Sequence, residues 1–369
     1  MKSAKILSFG LKLILGLGFL PFAFAQGGLT PSGAPGPTMK TLDQIYLRTD
    51  ARSAITNSGA VIISQSGSYY LTTNITVSSG DAITINTNEV TLDLNGFTIF
   101  STAAPAGGSA ILINGVRSDI AIHGGFIHGS VTNNGSGSYS GNGFGYGITF
   151  SGTLSGARVA NVSVSGCQFY GIFLGFNVTT VESCTVKTVG GLGIYADIVS
   201  ASVAVDCGGT ALSANSASNC RGQSSAGTGV YAAITAQNSY GQSSQSDGLS
   251  AFTANNCYGI SSNGVGLNAT VANNCLGTST SGRGISGRTA NNSYGSSVSG
   301  RGVFVEVANN CEGSCAGGND VGLYAIFIAI GSYGYSSTNT GLFTTIGNSS
   351  FGQNNSGISE TVGNKYNMP

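Results

Sequence analysis

Residues 253–264 read TANNCYGISSNG, and 18 residues later the chain reads VANNCLGTSTSG. Two landmarks show that this is a period. The apolar residue after a turn glycine falls at Ile172, Ile194, Leu212, Val230, Leu249, Leu267, Ile285, Val303, Leu323, Leu342 and Ile358, at intervals of 22, 18, 18, 19, 18, 18, 18, 20, 19 and 16. The glycine that closes the Asn-Cys-x-Gly phrase falls at Gly222, Gly241, Gly259, Gly277, Gly295 and Gly313, at intervals of 19, 18, 18, 18 and 18. Past residue 50 the apolar residues alternate in short β-branched runs broken by Gly, Asn, Asp and Ser, as in AVIISQSGSYYLTTNITV and DAITINTNEVTLDLNGFTIF. That is the pattern of strands and turns, with no helical periodicity. A strand-only period of this length implies a β-solenoid of 18–22 residues per coil, in which equivalent residues of successive coils stack. At about 4.8 Å per coil, eleven landmarks span roughly 50 Å.

The calcium-binding version of such a repeat needs Gly-Gly-x-Gly-x-Asp units, and the chain contains none. Charged residues make up 8% of the chain, with 14 Lys and Arg balancing 14 Asp and Glu. So few cations cannot neutralise a phosphate backbone, which excludes nucleic acid as a partner. The 41% apolar content argues for a packed core instead of disorder. At the N-terminus, Lys2, Lys5 and Lys12 flank LILGLGFLPFAFA, which ends in Ala23-Phe24-Ala25. This is a signal peptide pattern, too short for a membrane anchor, and no later run reaches the length of a membrane span. The expected organisation is a signal peptide over 1–25, an extended Pro- and Gly-rich lead-in over 26–58, and a solenoid over 59–369. In the lead-in, 39–46 is compatible with one helical turn. Irregular early coils are expected over 59–160 and regular ones over 161–369. The product is expected to be secreted, periplasmic or at the surface of a bacterium.

The repeat resolves into columns. Asn219, Asn238, Asn256, Asn274, Asn292 and Asn310 are expected to stack at a turn, where Asn tolerates the dihedrals and its amides can ladder. The competing reading is a catalytic amide. The following column alternates Cys220, Ser239, Cys257, Cys275, Ser293 and Cys311, so its requirement is a small side chain. A metal site needs paired Cys or His at close spacing, and the two histidines, His123 and His128, lie far from it; no metal is expected. Free buried thiols are favoured over disulfides, although stacked Cys257 and Cys275 are near enough to pair in an exported protein. The glycine that follows is read as the bend of the coil, and two alanine columns (Ala217 to Ala308, Ala214 to Ala269) as the lining of a thin interior.

If Cys faces inward, the next column faces out: Arg221, Tyr240, Tyr258, Leu276, Tyr294, Glu312, Tyr333. Tyr240, Tyr258 and Tyr294 could stack on sugar rings or simply form a ladder with one another. Arg283 and Arg301, one coil apart and in the column of Asp247, could hold an acidic polysaccharide or stand as solvated turn residues.

The runs ITINTNEVTLDLNGFTI and SDIAIHGGFIHG resemble the early coils of right-handed parallel β-helix proteins of the pectin-lyase-like superfamily. The lead-in PGPTMKTLDQI, the first strand GSYYLTTNITV and the ending NKYNMP are similar to a set of secreted bacterial β-helix repeat proteins without assigned activity. The resemblance covers residues 29–369 and implies an all-β, right-handed parallel β-helix. It carries no activity, because one fold hosts many. Lyases of this fold need a calcium-binding carboxylate cluster and a basic residue, and hydrolases need two carboxylates at a set separation. Asp81, Asp93 and Asp119, with His123, are the residues from which such a site would be built in the early coils. The expectation is an exported structural or glycan-binding rod that needs no cofactor. The alternative is a polysaccharide lyase or glycoside hydrolase acting on acidic polysaccharide, and only that alternative calls for calcium.

Overall fold

A computed structural model describes residues 52–317 and 319–368. The signal segment, the 39–46 stretch and most of the lead-in lie outside the described residues. Every described element is a strand, and the chain winds as a parallel β-solenoid of about 17 turns.

The register shows how the coils stack. One inward column runs Val61, Ile83, Ile111, Ile148, Ile172, Ile194, Leu212, Val230, Leu249, Leu267, Ile285, Val303, Leu323, Leu342. From Ile83 onward each member is completely buried. Early coils are long because of excursions, chiefly the antiparallel hairpin of Ser130–Asn133 with Tyr139–Asn142. From Ile194 the steps settle to 18–20 residues. The landmark at Ile358 is a correction. Asn354 accepts the Ser356 N–H at 2.8 Å and Gly357 takes φ 123, so Gly357–Ile358 folds back antiparallel on Phe351–Asn354. Ile358 is left 66% exposed, and Leu342 pairs with Glu360 instead.

The thin interior explains the glycine column differently from a bend. Gly259 lies within the strand Tyr258–Ser261 and faces the lumen. A Cβ there would stand 2.0 Å from the carbonyl oxygen of Gly266 on the far wall. Glycine at this position permits close approach of two backbones. The bend is made by the residue before the Cys column. Asn219, Asn238, Asn256, Asn274, Asn292 and Asn310 all hold φ between 48° and 54°, and Asn161, Ser183, Ala201, Gly331, Ser349 and Asn367 continue the left-handed turn in the coils on either side.

Within the Cys/Ser column, all members from Cys184 to Ser350 are buried, and the eight cysteines are free thiols. The small polar group has a defined task. Each Ser Oγ donates to the carbonyl two residues before it, as Ser239 does to Gln237 at 2.8 Å, and the thiols do the same more weakly, as Cys275 does to Asn273 at 3.2 Å. Where Ser follows Cys one coil on, its Oγ also accepts the Cys backbone N–H, for example Cys275 to Ser293 at 3.1 Å. A second such column runs Ser224, Ser243, Ser261, Ser279, Ser297, Cys315, Ser336. Ser261 shows its use: Oγ donates to the Ser246 carbonyl at 2.6 Å and accepts the Gly264 N–H at 2.8 Å, which fixes the tight turn.

In the last coil the inward columns change character. Glu360 stands in the Leu column and Lys365 in the Ala column, and they pair at 2.8 Å with the Glu360 side chain only 2% exposed. Met368, after the left-handed Asn367, packs against the core from the Cys position.

Candidate functional site

The left-handed turn leaves a concave corner on the outside of every coil. Because the turn recurs in register, the corners line up into a groove along the solenoid axis. Three successive sections are formed. The first, about 330 Å³, is lined by Gly124, Asn161 and Ser183 on the turn side and by Phe126, Ser163 and Thr185 on the strand side. The second, about 470 Å³, lies between Asn219, Asn238, Asn256 and Arg221, Tyr240, Tyr258. The third, about 510 Å³, lies between Asn274, Asn292, Asn310 and Tyr294, Glu312, Tyr333. The register joins the strand-side residues into one outward column: Thr98, Phe126, Ser163, Thr185, Val203, Arg221, Tyr240, Tyr258, Leu276, Tyr294, Glu312, Tyr333, Phe351.

The groove is close to neutral. Arg221 and Glu312 are the only charged residues among those lining its three sections. The Asn amides form a partial ladder, Asn238 to Asn219, Asn256 to Asn238 and Asn310 to Asn292, each at 3.3 Å. Beside it a second amide column, Asn255, Asn273, Asn291, Asn309, is joined at 2.8, 2.8 and 2.9 Å. Each exposed Asn of the turn therefore keeps donor and acceptor capacity toward the groove.

The tyrosines are partly committed to each other. Tyr240 meets Tyr258 edge-on at 5.4 Å, Arg221 lies 5.7 Å from the Tyr240 ring, and Tyr333 stacks on Phe351 at 5.9 Å. Tyr294 sits between Leu276 and Glu312 and has no ring neighbour among the described residues. Burial, with the charge of Tyr258 adding, raises the pKa of Tyr240, so its hydroxyl stays a neutral donor, here to Gln242 at 3.0 Å.

Arg283 and Arg301 do not line the groove. The Arg283 guanidinium lies 4.0 Å over the Phe304 ring, and Arg301 lies 4.8 Å from Phe304 and 4.4 Å from Tyr324 while pairing with Asp320 at 3.1 Å. Burial lowers the pKa of Arg283, with the Arg301 charge as a second cause. These cations rest on an aromatic ladder continued by Phe343, stacked on Tyr324 at 4.4 Å.

Asp93 and Asp81 are engaged with different partners. Asp93 pairs with Arg52 at 3.0 Å, meets His123 at 3.4 Å and accepts the Asn95 N–H at 2.8 Å. Asp93 and His123 are thus brought together, directly opposite in register. Asp81 accepts the Ser109 N–H at 2.7 Å, and Asp119 occupies a left-handed turn at φ 60 before the strand Ile120–His128. Among the described residues, no group of three or more His, Cys, Asp or Glu has the spacing of a metal site.

Two features were not anticipated from the sequence. Seven rings (Tyr146, Phe150, Phe169, Tyr170, Phe173, Phe176, Tyr195) form a chain of ring contacts, with centroids 4.4–5.7 Å apart, over the coils where long steps give way to short ones. Their faces are largely turned to each other. The second feature is the anchor of the hairpin. Asp206 accepts from Asn133 at 2.7 Å, Tyr139 at 3.0 Å and Thr188 at 2.7 Å. Burial works to raise the pKa of Asp206, but these three donors, with the charge of Lys187, outweigh it and hold the carboxyl below its ordinary value.

No family model, curated protein or solved structure matches this chain. What the site does must therefore be argued from its own geometry.

Proposed function

We propose that the protein is an exported bacterial rod that binds a hydroxyl-rich polysaccharide laid along this groove, without cutting its backbone. The observation that carries the reading is the succession of exposed Asn amides facing a file of half-buried rings, Tyr240, Tyr258, Tyr294 and Tyr333, broken by Leu276 and Glu312. Amides supply paired donors and acceptors to hydroxyls, and ring faces suit the apolar faces of sugars. A signal-peptide pattern at 1–25 and the resemblance of the sequence to secreted bacterial β-helix repeat proteins support export. Of the carboxylates from which a cleaving site would be built, Asp93 is held by Arg52 and His123 and Asp81 by the Ser109 N–H.

The near-neutral lining favours a neutral polymer over an acidic one. The test is a binding screen of neutral and acidic polysaccharides at two ionic strengths, with the Tyr240→Ala/Tyr258→Ala/Tyr294→Ala variant alongside Arg283→Ala/Arg301→Ala. The triple variant should lose binding by about tenfold or more, at about 0.5–1.5 kcal/mol per ring. Binding that survives the triple variant but falls with the two arginines would refute the groove and restore the acidic reading.

A further inference from the structure

We propose that Ser165 and His128 form a nucleophile–base pair that hydrolyses carboxylic esters at the N-terminal end of the groove. Neither residue belongs to the binding lining, and neither takes part in the Asp93 network. His128 is the chain's second histidine. Its Nδ1 lies 2.6 Å from Ser165 Oγ on the neighbouring coil, directly opposite in register. Within hydrogen-bond reach, an imidazole can take the hydroxyl proton and make Ser a nucleophile.

Two surrounding features suit that chemistry. The Phe126 ring stacks on the imidazole, with centroids 6.2 Å apart and planes 8° from parallel, and so orients the base. Lys187, which follows Ser165 in the same column one coil on, is exposed and its charge acts on Asp206, so the base and the nucleophile are the groups the pair itself supplies. The chain leaves the sheet immediately after His128, through Gly129, into the hairpin Ser130–Asn133/Tyr139–Asn142. The Asp206 contacts hold that hairpin against the next coils. The pair therefore sits between a fixed hairpin wall and the first groove section, whose residues Phe126 and Ser163 lie two positions along the same strands.

Ser165 Oγ adds to the ester carbonyl carbon while its proton passes to His128 Nδ1. The adduct collapses, the carbon–oxygen bond to the alcohol breaks, and the alcohol oxygen takes the proton from His128. Water then adds to the acyl-Ser165 ester, gives a proton to His128, and collapse releases the acid while Ser165 Oγ recovers its proton. Placed beside the groove, the natural ester is a small acyl group on a glycan hydroxyl. That last assignment rests on the binding reading above; the chemistry at Ser165 does not.

The experiment uses p-nitrophenyl acetate turnover and labelling with an alkyl fluorophosphonate, mapped by peptide mass spectrometry. Wild-type protein should hydrolyse the ester and carry the label on Ser165. Ser165→Ala should lose the label and, like His128→Gln, lose about 100-fold or more in rate. Ser296→Ala, at the equivalent outward position of a regular coil, should keep both, and all variants should keep the wild-type circular dichroism spectrum. An unlabelled wild-type protein, a label elsewhere, or a Ser165→Ala variant with undiminished turnover would overturn the proposal. Glycan binding measured on the same Ser165→Ala protein reports separately on the groove.

Discussion

Replacing Asn256 separates the two things an Asn does at the turn. Its φ of 52° is a left-handed conformation, which costs an ordinary L-residue about 1–2 kcal/mol. Its amide also donates to Asn238 at 3.3 Å in an exposed setting, a bond at the low end of the range, about 0.5 kcal/mol. Asn256→Ala loses both and is expected to destabilise by about 1–2 kcal/mol, moderated because Ala201 occupies the same turn at φ 47°. Asn256→Gly loses only the amide, because glycine adopts the conformation freely, and should stay within about 0.5 kcal/mol of wild type. Long repeat arrays depart from two-state unfolding, so the readout is hydrogen exchange at the amides of Tyr258 and Leu276, which bond to Ser239 and Cys257 of the preceding coils. Faster exchange in the alanine variant with near-normal exchange in the glycine variant is the expected pattern. Equal damage in both would show that the amide ladder governs the turn, and the backbone argument would be refuted.

The thiols should be inert in the native protein. All eight are buried, which is what shields them; burial also pushes Cys167 up to about 12 and Cys184 to about 11, while the Cys257–Cys275 hydrogen bond raises Cys257 and lowers Cys275. Iodoacetamide should label none of the eight before unfolding and all after it, with intact mass unchanged by reduction. Ser261→Ala removes a buried hydroxyl with two partners and should cost about 2–4 kcal/mol. Ser261→Cys should cost less, since Cys315 stands in that column, and hydrogen exchange at the amides of Ser262 and Thr280 would compare the two. Asp206 has a folded pKa below its unfolded one, so its contribution is present above the unfolded value and is lost as pH falls through the depressed folded value. Acid should release the hairpin over 130–142 before the regular coils open, seen as early exchange there, and Asp206→Ala should release it at neutral pH.

The regular coils are legible because stacking makes residues 18 apart neighbours, so a local pattern reports a long-range contact. Inward and outward parity also follows from alternation, and the buried Cys column beside half-buried tyrosines bears it out. Gly259 misled because close approach and bending both select glycine, and only the distance across the lumen tells them apart. Ile358 kept the texture of a landmark while Gly357 reversed the strand. The serine column at Ser261 was written in the repeat as plainly as the cysteines, but serine is common in turns and drew no notice. The Asp206 anchor joins residues up to 73 apart with no period between them, and the Ser165–His128 contact spans an irregular step of 37. Such pairings leave no trace in a single sequence.

The shared turn and the shared hydroxyl have a consequence for how such a chain can change. Every regular coil begins and ends on the same backbone conformation, at the same place on the circumference. Cutting out one unit, or copying one, brings together ends that already match, and the lumen meets an aliphatic residue, a small residue and a Cys or Ser again. The number of coils is thus a nearly free variable, since each regular repeat is a unit that meets only its neighbours. The groove would lengthen or shorten in step, without redesign of a single contact.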